Sequence, residues 1–229
     1  MTKTSGIILI NKPAGPSSHD IVNYVRRTVG AKKVGHAGTL DPFAEGLLVV
    51  LIGRDATKEQ KKFLNSDKEY IATIKIGIET DTYDKTGNVM NIYKKILPSE
   101  NEIKIILKSF IGKINQVPPS FSAKKIQGRR AYKLAREGKK IELKPVEILI
   151  KKITFLNYKV PLLQLKVLCS AGTYIRSLAH DIGQKLGCGA YLEKLIRTRV
   201  GNLNLKNSID LDELTEKNWT EHLMGLEKK

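Results

Sequence analysis

Between Lys68 and Glu79 apolar and polar residues alternate. Tyr70, Ala72, Ile74, Ile76 and Ile78 fall on one side of an extended backbone, and Thr73, Lys75 and Gly77 fall on the other. A strand that alternates in this way hides one face only, which is the pattern of an antiparallel sheet with one side covered. Leu162 to Cys169 repeats it, with Leu163, Leu165, Val167 and Cys169 together on one face. Lys159-Val160-Pro161 joins that strand to Val146–Tyr158 as a hairpin. Gly6 to Ile10 is a short β-branched strand that stops at the Pro- and Gly-rich loop Asn11 to Pro16. Leu47 to Ile52 is a strand apolar enough to be fully buried, with Gly53 to Thr57 as its exit.

Three stretches have helical period instead. Ser17 or Ser18 caps a helix that carries Ile21, Val25 and Val29 and is closed by Gly30. Ser99-Glu100-Asn101-Glu102 is a capping box ahead of Ile103, Ile106, Leu107, Phe110 and Ile111, with Gly112 as the stop. Gly172-Thr173-Tyr174-Ile175-Arg176 opens a third helix, with Ile175, Leu178, Ala179, Ile182 and Leu186 on one side and Gly187 after it. Arg176 falls in its first turn, off that apolar side. The macrodipole disfavours a cation there, so a carboxylate partner is expected nearby. Residues 190 to 205 read as a short helical stretch that includes Leu192 and Leu195, then a strand from Val200 to Leu205. Residues 210 to 229 are polar with weak periodicity. A chain of 229 residues needs only one domain, with room for a cleft.

The charge narrows the function. With 40 Lys and Arg against 23 Asp and Glu the chain carries +17, so a polyanion is its expected partner. An anionic membrane would answer the same charge, but no basic amphipathic helix with a bulky apolar face and no lipidation signal is present, which leaves nucleic acid. The cations also cluster. Arg26, Arg27, Lys32 and Lys33 crowd the end of the first helix, where they suit its dipole or a phosphate backbone equally. Lys124, Lys125, Arg129, Arg130, Lys133, Arg136, Lys139, Lys140 and Lys144 stand against Glu137 and Glu142 alone. Within that segment Arg129, Lys133, Arg136 and Lys140 recur at helical spacing opposite Ala131, Leu134 and Ala135. Like charges on adjacent turns repel without a counter-anion, which favours a phosphate-binding face.

Cys169 and Cys188 make no metal spacing with the four histidines and read as free thiols. No metal site is expected. The loop Thr80 to Gly87 lacks the regular acidic positions of a calcium loop, and its Asp and Thr side chains are expected to bond their own backbone. No apolar run is long enough to cross a bilayer, so the expected location is the cytoplasm.

The chemistry-bearing stretch is Gly35-His36-Ala37-Gly38-Thr39-Leu40-Asp41-Pro42. Asp followed by Pro is a helix N-cap with proline at the first helical position, or else a lone carboxylate presented at a turn. Its company decides between them. In order along the chain come LINKPAGPSS (Leu9 to Ser18), GHAGTLDP, Lys68-Glu69-Tyr70, VPPSFSAKKIQGRRAYKLAREG (Val117 to Gly138) and CSAGTYIRSLAHDIGQKLGCGA (Cys169 to Ala190). Together these closely resemble the TruB family of tRNA pseudouridine synthases, from about Gly6 to Leu205.

The resemblance implies an α+β, pseudouridine-synthase-like fold with a mostly antiparallel mixed sheet in two halves, flanked by helices, and an active-site cleft between the halves. It implies that Asp41 is the essential aspartate, Tyr70 the tyrosine that stacks on the target base, and Arg176 the arginine that pairs with the aspartate. His36, Lys12 and Leu195 are implied at the substrate, as are Lys124, Arg129, Arg130 and Lys133 of an RNA-clamping insertion at about 117–144. The catalytic domain is expected at 1–208. A short tail at 209–229 is expected in place of the small RNA-binding PUA domain common in the family, and Ile196 stands where a second arginine is common.

The reaction so implied converts a uridine of the tRNA T-loop, at position 55, into pseudouridine. It needs base flipping and no cofactor. Asp41 can serve as a nucleophile or as a base, and Arg176 would keep it ionised and aimed. A monomer acting on tRNA without an obligatory protein partner is expected. The alternative is a tRNA-folding chaperone without catalysis, which would need the basic surface and His36 but not Asp41.

Overall fold

A computed structural model describes residues 5–94, 97–122, 124–126, 129–130 and 143–226. In chain order the elements begin with β1 (Gly6–Lys12), α1 (Ser18–Thr28), β2 (Val34–Ala37), β3 (Glu45–Ile52), α2 (Gly53–Lys58), α3 (Gln60–Leu64) and β4 (Lys68–Ile76). Next come β5 (Ile78–Thr80), β6 (Val89–Ile92), α4 (Glu100–Lys108), β7 (Gly112–Gln116), β8 (Lys125–Ile126) and β9 (Arg129–Arg130). The chain continues with β10 (Val146–Lys159), β11 (Leu162–Cys169), α5 (Ile175–Lys185), β12 (Ala190–Val200), β13 (Leu203–Asn204), a 3-10 turn (Leu205–Asn207) and β14 (Ile209–Asp210). Two compact units result, Met1–Tyr70 with Leu195–Lys229, and Ile71–Lys194. No described helix is long and apolar enough to cross a membrane.

The first unit is organised on β3. One edge of β3 is taken along its whole length by antiparallel β1, from Gly6 opposite Ile52 to Lys12 opposite Gly46. The other edge is shared. β12 runs parallel to it at Glu45 and Gly46, and β2 antiparallel from Val49 to Ile52. β1 and β3 are apolar almost throughout because both of their faces are covered. On one face Ile8, Ile10, Leu48, Val50 and Ile52 meet Ile21, Val22 and Val25 of α1. On the other, Ile7, Leu9, Leu47, Val49 and Leu51 meet Ala56, Phe63, Val200 and Leu203. Residues 209–226, expected as a polar tail, contribute β14 beside β1, a buried Leu214, and a bridge between Met224 and Ile7.

The second unit carries the order β4-β11-β10-β7, with β10 antiparallel to both of its neighbours. The alternation on β4 and β11 is as expected: Ala72, Ile74 and Ile76, like Leu163, Leu165, Val167 and Cys169, are buried. It ends at Gly77, whose φ of +97° breaks the strand, so Ile78 begins β5 off the buried face. The capping boxes at Ser17–Asp20 and Ser99–Glu102 both form. Both cysteines are buried thiols outside any disulfide.

Elsewhere local pattern misled. No helix starts at Asp41-Pro42; the residues make a tight turn into β3, so the capping reading fails. Gly53 to Thr57, read as a strand exit, lies in the short helix α2, and α3 follows it. Leu192 and Leu195 lie on β12 rather than on a helix, because pairing with neighbouring strands overrides a weak local preference. Arg129, expected to open a basic helix, is on β9 opposite Ile126. Lys133, Arg136 and Lys140 lie outside the described residues.

Candidate active site

Asp41 sits midway along a loop that leads from β2 to β3. A loop has no ladder of its own, so its backbone groups need partners from elsewhere in the fold. In the first unit buried groups supply them at nearly every step. Gly38 O accepts from Arg197 Nη2 at 2.9 Å. Leu40 N donates to Ser18 Oγ at 2.8 Å, and that hydroxyl donates back to Leu40 O at 3.0 Å. Pro42 O accepts from Gly15 N at 2.8 Å and from Lys12 Nζ at 3.1 Å. Ala44 N closes the turn on Asp41 O at 3.0 Å, while Ala44 O accepts from Lys12 Nζ at 2.7 Å. Both residues flanking Asp41 are therefore held, and its half-buried carboxylate is presented from a fixed turn.

Lys12 is 0% exposed at the end of β1 and spends its third N–H on Pro13 O at 2.9 Å. Burial pushes its ammonium down from 10.5 to about 8, opposed by the charges of Asp41 and Glu45 and assisted by that of Arg197. Its alignment with the loop follows from the LINKPAG segment, in which β1 ends at Lys12, directly before Pro13.

His36, on β2, is half-buried and shares a hydrogen bond of 3.2 Å with Thr39 Oγ1, while its carbonyl accepts from Gln60 Nε2 at 2.7 Å. Burial, with Arg197 and His19 adding to it, lowers its ionisation below 6.5, so the ring is neutral at neutral pH. Tyr70 and Leu195 are buried residues of the same unit, on β4 and β12.

Arg176 belongs to the second unit. Gln116 at the end of β7 exchanges two hydrogen bonds with Tyr174, and Ser177 donates to Val117 O at 2.7 Å, which fixes the start of α5. Arg176 is buried in that first turn, where its Nη1 lies 3.3 Å from Asp84 Oδ2, with the two side chains 6% and 4% exposed. Its other hydrogen bonds go to Thr82 O at 3.1 Å and Phe121 O at 2.8 Å.

Asp84 is central to the polar loop 80–87. Its Oδ1 accepts from Thr82 Oγ1 at 2.8 Å and from Thr86 N at 2.9 Å, the self-bonding turn read from the sequence. Tyr83 beside it has φ of +62° and stacks on His180 with ring centroids 4.0 Å apart.

Of the basic segment, Lys124 Nζ reaches Lys144 O at 3.3 Å, and Arg129 and Arg130 pair with β8 as a short ribbon. Lys133 lies outside the described residues.

Sequence reasoning gave Ser18, Lys68, Asp84 and Arg197 no place at the site. Lys68 occupies the inward face of β4, where its Nζ donates to Phe63 O and Ser66 O at 3.1 and 2.6 Å at the end of α3. Arg197 is 1% exposed. The signal available for both was a cation at the buried register of an alternating strand, which has to find several acceptors.

The chain matches the model of the TruB family pseudouridylate synthase N-terminal domain over residues 26–175, and that of the tRNA pseudouridylate synthase B C-terminal domain over 176–228. It is 51% identical to the tRNA pseudouridine synthase B of Protochlamydia amoebophila over 205 residues, 90% of this chain and 78% of that one. It is 46% identical to that of Chlamydia muridarum over 211 residues, covering 92% and 87% of the two chains.

Among solved structures, a Cbf5-Nop10-Gar1 complex has a chain 30% identical to this one with a TM-score of 0.74. An H/ACA RNP bound to a substrate RNA containing 2'-deoxyuridine has one 29% identical with a TM-score of 0.70. In both cases 94% of this chain is covered, and it spans 56% and 55% of theirs. The expected α+β, pseudouridine-synthase fold is thereby established, and the chain belongs to the TruB family of pseudouridine synthases.

Proposed function

We infer that this protein isomerises a uridine of the tRNA T-loop, at position 55, to pseudouridine, with Asp41 as the essential side chain. The observation that carries the reading is the Asp41 loop: a half-buried carboxylate at a turn whose neighbours Leu40 and Pro42 are both held by buried groups. Such rigidity is what a reaction at a flipped nucleotide requires, because small displacements of the reacting group are costly.

The reaction is an exchange within one nucleotide. The C1'–N1 bond breaks, the base turns, C1' bonds to C5, the hydrogen of C5 leaves to solvent and N1 gains a proton. Nothing is oxidised and no water is consumed. The target base leaves its stack before Asp41 can reach it, and Tyr70 is its stacking platform, a contact that contributes about 1–3 kcal/mol per base. Arg176 orients charge at the site. His36, neutral and ring-shaped, packs among the displaced bases together with Leu195. The basic segment at about 117–144, including Lys124, Arg129, Arg130 and Lys133, grips phosphates. Residues 1–208 act as the catalytic domain.

The test is tritium release from a tRNA transcript carrying C5-tritiated uridine, comparing the wild type with Asp41→Asn. Release by the wild type alone, with tRNA binding equal in the two proteins, is the expected result. Binding without release by the wild type would replace catalysis with a chaperone role, and release by Asp41→Asn would remove Asp41 from its place.

A further inference from the structure

We propose that Arg197 is a positioning residue for the reaction, its guanidinium joining the two stems of the loop that carries Asp41. The inference rests on the reading of Asp41 given above. Arg197 stands first among the largest fully buried side chains of the described residues, and a buried guanidinium is retained only where acceptors surround it. Nε donates to Leu47 O at 2.8 Å, and Nη2 donates to Gly38 O at 2.9 Å. Gly38 precedes Asp41 at the end of β2, and Leu47 follows it inside β3. One planar fork thus spans the start and the end of the loop.

The strand arrangement explains why an arginine stands at this point. The edge of β3 is paired with β12 up to Gly46 and with β2 from Val49 onward. Leu47 falls between the two pairings, and Arg197, opposite Gly46 on β12, extends its side chain into that interval. Two glycines make room, Gly46 for the backbone of Arg197 and Gly38 for its guanidinium. A Cβ on Gly46 would lie 2.5 Å from Arg197 O, and one on Gly38 would lie 3.3 Å from Nη1, and both glycines have positive φ, +98° and +87°. Lys12 grips the loop beyond Asp41, at Pro42 and Ala44, whereas Arg197 holds both of its stems. Removing the fork leaves Asp41 attached but free to shift by a fraction of an ångström.

The experiment compares Arg197→Lys, Gly38→Ala and the double variant with the wild type and with Asp41→Asn, on an unmodified tRNA transcript with C5-tritiated uridine. Arg197→Lys keeps the buried positive charge but replaces the fork by a point charge. Gly38→Ala keeps Arg197 but both crowds Nη1 and strains the backbone at φ of +87°, so it is read through its coupling to Arg197→Lys, and Arg197→Gln, which keeps a planar donor, takes the place of the lysine variant should that one not fold. The expected result is a fall of about a hundredfold in the single-turnover rate for each single variant. The Kd for tRNA should stay within about threefold of the wild type, and the double variant should be no slower than the worse single variant.

Single-turnover rates close to wild type, with Asp41→Asn inactive, would overturn the proposal and leave the reading of Asp41 standing. Fully additive losses in the double variant would also overturn it, since the two residues would then act independently. Turnover by Asp41→Asn would remove the reading on which the proposal is built.

Discussion

Lys12→Met is the perturbation whose outcome the structure constrains most. The substitution keeps the length and apolar stem of the side chain and removes three hydrogen bonds, to Pro13 O, Pro42 O and Ala44 O. Bonds from a charged donor contribute about 1.5 kcal/mol each at the low end, so the gross loss is about 4.5 kcal/mol. Relief of the buried ammonium's desolvation offsets about half of that, leaving a net loss of about 2 kcal/mol. For a chain of this size that lowers the melting temperature by about 4–8 °C.

The pH dependence separates the two contributions of Lys12. Its folded ionisation lies near 8 against 10.5 when free, so between those values the unfolded chain holds the proton and the folded one does not. The part of the stability that depends on this ionisation is therefore present above 10.5 and lost as pH falls through about 8, and what remains at neutral pH is the net hydrogen-bond contribution given above. Activity should move the other way. The ammonium has three donors and the neutral amine two, so a tether of the Asp41 loop is released as pH rises through about 8. Single-turnover rates measured from pH 6.5 to 9.5 should fall through one ionisation near 8 in the wild type. In Lys12→Met they should be lower by about tenfold or more at neutral pH, and that alkaline limb should be gone. A Met variant that melts and reacts like the wild type, or that keeps the limb, would refute the reasoning.

Other expectations follow from the second unit. Asp181 on α5 has its carboxyl pushed up from 3.8 to about 6 by burial, so its contribution to stability is full below pH 4 and lost as pH rises through 6. Asp181→Asn should accordingly raise the melting temperature at pH 7 and leave it unchanged at pH 4; equal shifts at both would contradict the linkage. Asp84→Ala removes the carboxylate 3.3 Å from the buried Arg176 Nη1, together with the acceptor of Thr82 Oγ1 and Thr86 N, and should destabilise by about 3–5 kcal/mol in calorimetry. A loss under about 1 kcal/mol would mean that the pair is solvated in solution.

Much of the fold is legible locally. The alternation along β4 and β11 is carried by residues two apart, and the Ser17 and Ser99 capping boxes by residues three apart, so each is decided within one turn or one pleat. GHAGTLDP could be read as a functional loop because its motif is contiguous. Local pattern failed where pairing partners decide. Ala190–Val200 contains residues that suit either a helix or a strand, and its position beside β3 makes it β12.

The site divides in the same way. Asp41, Tyr70, Arg176, His36 and Lys12 were named through the resemblance of contiguous motifs to the TruB family, whereas Ser18 and Arg197 acquire their roles only through carbonyls distant in sequence. Ser17 and Ser18 are adjacent and chemically identical, yet one caps α1 and the other holds Leu40. The sequence by itself determined the element types with strong periodicity and the carboxylate at the loop. Only the tertiary structure decided what holds that loop still, because the acceptors of a buried cation are backbone groups, which every residue carries and no sequence motif marks.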